Sequence, residues 1–242
     1  MKILVFDAAH QTSVAVAGRV AQALHERPAL VLGLAAGRTP VDAYAELQRM
    51  HAAGRADFSG AMTFNLDEFV GIAASDPRSF RAFMERYLLR GINLPADRAH
   101  FLNGVAPDLR DECGRYDAAI ESAGGIDLQI LGIGINGHVG FNEPADELIA
   151  RTHRVRLADS TRRENADLFG GDEEAVPREA LSMGMGAILR SSAIVLMATG
   201  ERKARCVARA VNGPLSTRLP ASLLQLHRAV ELYLDRRAAS RL

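Results

Sequence analysis

The chain alternates between short apolar runs and longer segments in which apolar residues recur at helical spacing. The short runs predict buried strands, and the longer segments predict amphipathic helices. The predicted strands cover residues 3–6, 30–34, 62–66, 128–131, 192–198 and 230–234. The predicted helices cover residues 12–24, 40–50, 79–89, 109–122, 176–189 and 201–211. This order predicts an α/β fold with a doubly wound, mostly parallel, Rossmann-like sheet and helices on both faces, in one domain over residues 1–242.

Polar loops follow three of the predicted strands, at residues 37–39, 67–68 and 132–143. Right-handed crossovers place the loops that follow parallel strands at one edge of the sheet. Ligands bind at that edge in doubly wound folds. We therefore expect the three loops to contribute to one site.

The loop at residues 132–143 contains four glycines, two asparagines, one histidine and one glutamate. His138 lies among the glycines, with Asn136 and Glu143 close by in sequence. An exposed imidazole beside a carboxylate can transfer protons near neutral pH, and its neighbours can select its tautomer. We interpret the other six histidines, which lie in ordinary polar or amphipathic surroundings, as structural or surface residues.

Two adjacent carboxylates, Asp67 and Glu68, directly follow the strand predicted at residues 62–66. Successive residues of an extended chain point to opposite sides, so only one of the two needs to face a cleft. A carboxylate in that position is a candidate general base for a carbon-bound proton. Helix capping, a salt bridge and metal binding are the alternative roles.

The loop at residues 34–40 joins a predicted strand to a predicted helix. Thr39 is a suitable N-cap, and Pro40 suits the first helical turn. Free backbone N–H groups at a helix start favour an anion such as phosphate. The loop is not a Walker motif, because no lysine follows the glycine at the required spacing. A well-capped helix start without a ligand is the alternative interpretation.

The composition bears on the binding partners, the cysteine chemistry and the cellular compartment of the protein. Hydrophobic residues make up 48% of the chain, and 29 basic residues balance 29 acidic ones. A formal net charge of zero gives no support for nucleic-acid or membrane-surface binding. Cys113 and Cys206 match no zinc spacing, and we expect two buried free thiols. Without a signal peptide or a long apolar segment, we expect a soluble, cytoplasmic protein.

Five segments together resemble the glucosamine-6-phosphate deaminase/isomerase family: residues 33–40, 63–71, 102–108, 132–144 and 222–227. The run Gly-His-Val-Gly-Phe-Asn-Glu-Pro at residues 137–144 is highly specific. The related 6-phosphogluconolactonases share the fold, but they usually carry Asp-Gly-His-x-Ala-Ser-Leu-Phe-Pro there. The resemblance implies an aldose–ketose isomerisation coupled to loss of ammonia, from glucosamine 6-phosphate to fructose 6-phosphate, in N-acetylglucosamine catabolism. It implies neither a metal nor another cofactor.

The resemblance also implies roles for particular residues. Asp67 would take the proton from C2 of the sugar and return it at C1. His138 would handle the ring-oxygen proton during ring opening, Glu143 would orient His138, and Asn136 would complete that group. The substrate phosphate would lie on the loop of Gly37, Arg38 and Thr39, with Lys203 adding a positive charge.

Two positions depart from the family pattern. Many members place a phosphate-binding arginine where this chain has Asp167, whereas Arg38 stands where glycine or serine is usual. An acidic side chain beside a phosphate is repulsive. We hypothesise that Arg38 replaces the missing positive charge, with Arg162 or Arg163 as lesser candidates. The alternative is a changed substrate.

The sequence is also compatible with other functions. A related enzyme could act on another sugar phosphate, such as galactosamine 6-phosphate, or hydrolyse 6-phosphogluconolactone. A non-enzymatic sugar-phosphate sensor is a further alternative, although the chain carries no basic helix-turn-helix segment. A small-molecule sugar phosphate is the expected partner, and both a monomer and a homo-oligomer are compatible with the family.

Overall fold

The computed structural model describes residues 1–242 and contains ten strands and seven α-helices. The strands are β1 (Lys2–Phe6), β2 (Val31–Leu34), β3 (Met62–Asn65), β4 (Asp67–Phe69), β5 (Ala99–His100), β6 (Leu128–Leu131), β7 (His153–Arg156), β8 (Glu179–Ser182), β9 (Ala193–Ala198) and β10 (Val230–Asp235). The helices are α1 (Ala9–Glu26), α2 (Val41–Ala52), α3 (Phe80–Tyr87), α4 (Leu109–Ser122), α5 (Asp159–Asn165), α6 (Met185–Leu189) and α7 (Ala204–Asn212). Short 3₁₀ helices cover Leu89–Gly91, Ala96–Arg98, Ala166–Phe169, Glu201–Lys203 and Pro220–Leu226.

Seven strands form the central sheet in the order β1-β10-β9-β6-β2-β3-β5, and every neighbouring pair is parallel. The predicted fold class is therefore confirmed. Six of these strands were predicted from apolar runs, and the two-residue β5 was not. None of the helices combines the length and the apolar character that crossing a lipid bilayer requires.

Helices cover both faces of this sheet. Side chains of α1, α2 and α3 pack with Leu128 and Ile130 of β6 on one face. Side chains of α4, α6 and α7 pack with Leu131 on the other. Because a parallel strand is buried on both sides, it reads as a nearly continuous apolar run rather than an alternating one. Cys113 and Cys206 are free and buried, as expected.

The strand order reverses at the centre of the sheet. The chain runs outward from β2 through β3 to β5, and it then crosses back to β6 on the other side of β2. Crossovers that run in opposite directions from neighbouring strands open a crevice at their carboxyl ends. The loops that follow β2 and β6 therefore border the place where this fold binds ligands.

A second, three-stranded antiparallel sheet has the order β4-β8-β7, and the sequence did not reveal it. Asp67 and Glu68, which we predicted in a loop, belong to β4, where Asp67 lies opposite Ser182. The prediction of one helix over residues 176–189 was wrong, because only Met185–Leu189 is helical and Glu179–Ser182 is a strand. Pairing with two strands from distant parts of the chain satisfies the backbone of this segment and overrides its helical spacing.

Candidate active site

A cavity of about 380 Å³ lies at the carboxyl edge of the central sheet. Its wall includes residues from the loops after β2, β3, β6 and β9, which are adjacent in the sheet. It also includes aromatic side chains of α3 and polar side chains from α5 and the turn that follows it. The volume lies within the range typical of small-molecule sites.

Asp67 and Glu68 face different surroundings. Asp67 lines the cavity and is 6% exposed. The carboxylate of Glu68 points away from it and accepts N–H groups of Phe69, Phe80 and Arg81 at 2.9–3.0 Å. Phe80 and Arg81 begin α3, so Glu68 satisfies free donors at that helix N-terminus. The capping role considered for this pair thus belongs to Glu68, and the cavity-facing position belongs to Asp67.

The two carboxyl groups have perturbed proton affinities. Burial raises the pKa of Asp67 well above its usual value, and repulsion from Glu68 raises it further. Burial also raises the pKa of Glu68 to about 7, although the three backbone donors oppose this shift. No hydrogen bond or cation lowers the pKa of Asp67. A buried carboxylate without such partners binds a proton strongly, which suits a general base.

His138 lines the same cavity as Asp67. The glycine-rich loop makes room for the ring, because a Cβ on Gly134 would lie 2.3 Å from imidazole Cε1. The Nδ1 atom lies 3.2 Å from the Thr161 hydroxyl oxygen and 3.7 Å from Oε2 of Glu143. The ring is therefore held from behind by Thr161 and Glu143.

Glu143 and Asn136 lie behind the imidazole and do not line the cavity. The amide of Asn136 donates to Oε2 of Glu143 at 2.8 Å, and Oε1 accepts the N–H of Ala158 at 3.0 Å. Burial would raise the pKa of Glu143, but hydrogen bonding and attraction to His138 outweigh it and lower the pKa. The Glu143 carboxylate stays ionised, and it can stabilise a protonated imidazole.

The loop of Gly37, Arg38 and Thr39 borders the cavity. Gly37 has a φ of +121°, a backbone conformation that is unfavourable for residues with a Cβ. The prediction that Thr39 caps α2 was wrong. Pro40 occupies the N-cap position, and no side chain caps the helix, because residues 38–41 form a tight turn.

Both cations in the cavity wall are already paired. Lys203 Nζ lies 2.6 Å from Oε1 of Glu164, and Arg38 Nη1 lies 2.5 Å from Oδ2 of Asp167. All four residues line the cavity. Arg38 and Asp167, which the sequence analysis noted separately, therefore contact each other.

The two lesser arginine candidates lie elsewhere. Arg162 is buried and donates to the carbonyls of Glu173 and Val176, and Arg163 pairs with Glu173. Neither arginine lines the cavity.

The sequence interpretation missed two functional candidates, Thr161 and Glu164. They lie three positions apart on α5, which places them on one side of the helix. Asp167 follows three residues later in the next turn. This i, i+3, i+6 series of polar residues was the available signal, but α5 itself was not predicted.

The family model described as glucosamine-6-phosphate isomerases/6-phosphogluconolactonase matches residues 6–233. This chain belongs to that family. The glucosamine-6-phosphate deaminase of Thermoanaerobacter sp. (strain X514) is 43% identical over 240 residues, covering 99% of this chain and 94% of the relative. Glucosamine-6-phosphate deaminase 2 of Bacillus subtilis (strain 168) is 44% identical over 243 residues, covering 100% of this chain and 98% of the relative.

Solved structures agree with this assignment. The structure of a monomeric glucosamine-6-phosphate deaminase superposes with a TM-score of 0.97 at 39% identity and covers 100% of both chains. A 6-phosphogluconolactonase from Trypanosoma cruzi superposes with a TM-score of 0.80 at 18% identity, covering 100% of this chain and 96% of the other. The second likeness shows a shared fold. The resemblance stated from the five sequence segments is thereby confirmed.

Proposed function

We propose that this family member converts glucosamine 6-phosphate and water to fructose 6-phosphate and ammonia. One observation carries the proposal: Asp67, a buried carboxyl group with high proton affinity, and His138 line one cavity of sugar-sized volume. Relatives of 41–46% identity that bear the name glucosamine-6-phosphate deaminase support the same reaction.

Asp67 is the proposed proton carrier between two neighbouring carbons. Its carboxylate removes the proton from C2 of the open-chain sugar and returns it to C1. A second proton passes from the amino group to the C1 oxygen, so the C1 aldehyde becomes an alcohol and the C2 amine becomes an imine. The resulting C2 imine adds water and releases ammonia, so water supplies the ketone oxygen. A high proton affinity in the folded protein makes Asp67 a stronger base than an exposed aspartate.

His138 is the proposed acid–base group for ring opening. It accepts the proton of the C1 hydroxyl and delivers one to the ring oxygen, so its imidazole must hold and release a proton within one cycle. Glu143 is a positioning residue, because it faces Nδ1 and leaves Nε2 free for the sugar. Asn136 fixes Glu143 through the 2.8 Å hydrogen bond.

The phosphate group is proposed to bind where the loop of Gly37, Arg38 and Thr39 meets Lys203. Support comes from the two cations in the cavity wall and from the turn after Gly37. Both side chains can donate to phosphate oxygens once their carboxylate partners make room.

The decisive experiment measures ammonia and fructose 6-phosphate as products from glucosamine 6-phosphate. Galactosamine 6-phosphate and 6-phosphogluconolactone are offered in parallel. We expect stoichiometric ammonia and fructose 6-phosphate from the first substrate and the highest kcat/KM for it. Ammonia only from the galactosamine ester, or lactone hydrolysis alone, would replace the proposed substrate. Binding of all three without turnover would support a sensor.

We further propose a cytoplasmic role in N-acetylglucosamine catabolism. Two buried free thiols are consistent with a reducing compartment. Growth of a deletion strain on N-acetylglucosamine tests this, since growth equal to that of the parent would exclude an essential role in that route.

A further inference from the structure

Lys203 and Glu164 form the most buried ion pair in the cavity wall. Their side chains are 17% and 16% exposed, and Nζ lies 2.6 Å from Oε1. The second oxygen of Glu164 accepts the backbone N–H of Ile135 at 3.1 Å. Ile135 belongs to the glycine-rich loop that also carries His138. Both oxygens of Glu164 are therefore engaged, one by a cation of the cavity wall and the other by the backbone of that loop.

The two donors that contact Glu164 form a site that can bind an anion. An ammonium group and a backbone N–H converge on the same carboxylate, as they would on a phosphate oxygen. Burial would raise the pKa of Glu164, but the hydrogen bond and the charge of Lys203 outweigh it, so the pKa is lowered. Glu164 is thus ionised at neutral pH and neutralises Lys203.

Arg38, the other cation in the cavity wall, supplies little free positive charge. Arg38 pairs with Asp167, and their side chains are 69% and 66% exposed. Exposed pairs of this kind contribute little and rearrange easily. The charges of Arg38, Lys203, Glu164 and Asp167 cancel, so an incoming dianion meets no net positive charge in this part of the wall.

We propose that Glu164 is a specificity-determining residue whose carboxylate occupies an anion site formed by Lys203 and the Ile135 N–H. A phosphorylated substrate binds by displacing this carboxylate from Lys203. The internal anion thereby weakens the binding of phosphate-bearing ligands and leaves the proton-transfer groups unchanged. The identity of the anion as a sugar phosphate rests on the proposed function; the anion site itself does not.

Substitution of Glu164 tests the displacement. Glu164→Ala frees Lys203 and the Ile135 N–H, and we expect KM for glucosamine 6-phosphate to fall about tenfold or more while kcat changes less than about threefold. Glu164→Gln keeps an acceptor of similar shape without the charge, and we expect an intermediate fall in KM. Asp159→Asn is the matched control, because Asp159 lies on the same helix with a side chain 89% exposed and outside the cavity wall.

Binding of inorganic phosphate, measured by calorimetry on the same proteins, separates this inference from the proposed function. We expect about tenfold tighter phosphate binding by Glu164→Ala than by the wild type and no change in Asp159→Asn. If that gain appears while no hexosamine phosphate is deaminated, the anion site stands and the proposed function fails.

The opposite pattern overturns the inference. If the wild type releases ammonia but Glu164→Ala shows an unchanged or higher KM and unchanged phosphate affinity, then Glu164 serves to hold Lys203 in place. Thermal unfolding identifies folded variants. If Glu164→Ala does not fold, Glu164→Gln decides by the same two measurements, since unchanged phosphate affinity in that variant also refutes the displacement.

Discussion

Asp67 and Glu164 line the same cavity, yet their surroundings drive their proton affinities in opposite directions. Asp67 has no cation or hydrogen-bond donor that lowers its pKa, so burial and Glu68 raise it. Glu164 contacts Lys203 and the Ile135 N–H, and its pKa is lowered. Two carboxylates whose environments separate their pKa values take different roles. The contrast supports the proposed proton transfer by Asp67 and the proposed charge neutralisation by Glu164.

Removing the carboxylate of Asp67 is the strongest test of this contrast. Asp67→Asn keeps the shape but removes the base, so we expect kcat to fall about 10³-fold with little change in phosphate binding. Thermal unfolding should show no loss of stability, because the change removes a buried charge without a partner. Asp159→Asn serves as control, and turnover within about tenfold of the wild type in Asp67→Asn would refute the base assignment.

The pH dependence of kcat/KM sharpens the same contrast. The active form of Asp67 is ionised and its pKa is raised, so kcat/KM should rise about tenfold per pH unit up to an inflection above the ordinary range of a carboxyl group. Glu68→Gln removes the second cause of that shift and should move the inflection to lower pH. A plateau that extends down to about pH 4 would contradict the assignment.

Substitution of Glu143 tests the proposed role of His138 in ring opening. Glu143→Gln removes the negative charge 3.7 Å from Nδ1 of His138, and we expect kcat to fall about ten- to hundredfold. KM should change less than about threefold, because Glu143 does not line the cavity. Glu147→Gln, at an exposed position between β6 and β7, is the control. A rise in KM as large as the fall in kcat would indicate a purely structural role.

Arg38 is expected to give the smallest effect. Its ion pair with Asp167 is exposed, so Arg38→Ala should change the free energy of unfolding by less than about 0.5 kcal/mol. We expect KM for glucosamine 6-phosphate to rise about threefold, because the cation lies in the cavity wall but is already paired. Arg163→Ala removes another exposed, paired arginine outside the cavity and is the control. An unchanged KM would exclude Arg38 from the phosphate site.

Much of the fold could be predicted because the inner strands of the central sheet are buried on both faces and appear as apolar runs. β4, β7 and β8 escaped prediction for other reasons. They are short, β7 is half exposed, and β8 lies in a segment with helical spacing. Their pairing depends on partners far away in sequence, which local patterns do not encode.

The candidate site was likewise only partly predictable from the sequence. The glycine-rich loop, Asp67 and His138 were recognisable because each follows a predicted strand and lies in a distinctive motif. Glu164 was not, since it lies on a short helix that was not predicted, and its partner Lys203 is 39 residues away. The opposite charges of Arg38 and Asp167 were noted separately, and the structure joins them across 129 residues.

The sequence by itself determined six strands of the central sheet, the family, and the loops that approach one edge of the sheet, because periodicity and turn residues act locally. Only the tertiary structure decided that Asp67 faces the cavity while Glu68 caps α3, and that each cavity cation has an acidic partner. Adjacent residues in an extended chain point to opposite sides, and the register in which β4 pairs with β8 selects the side. Burial and ion pairing, which set proton affinity, likewise arise from contacts between distant segments.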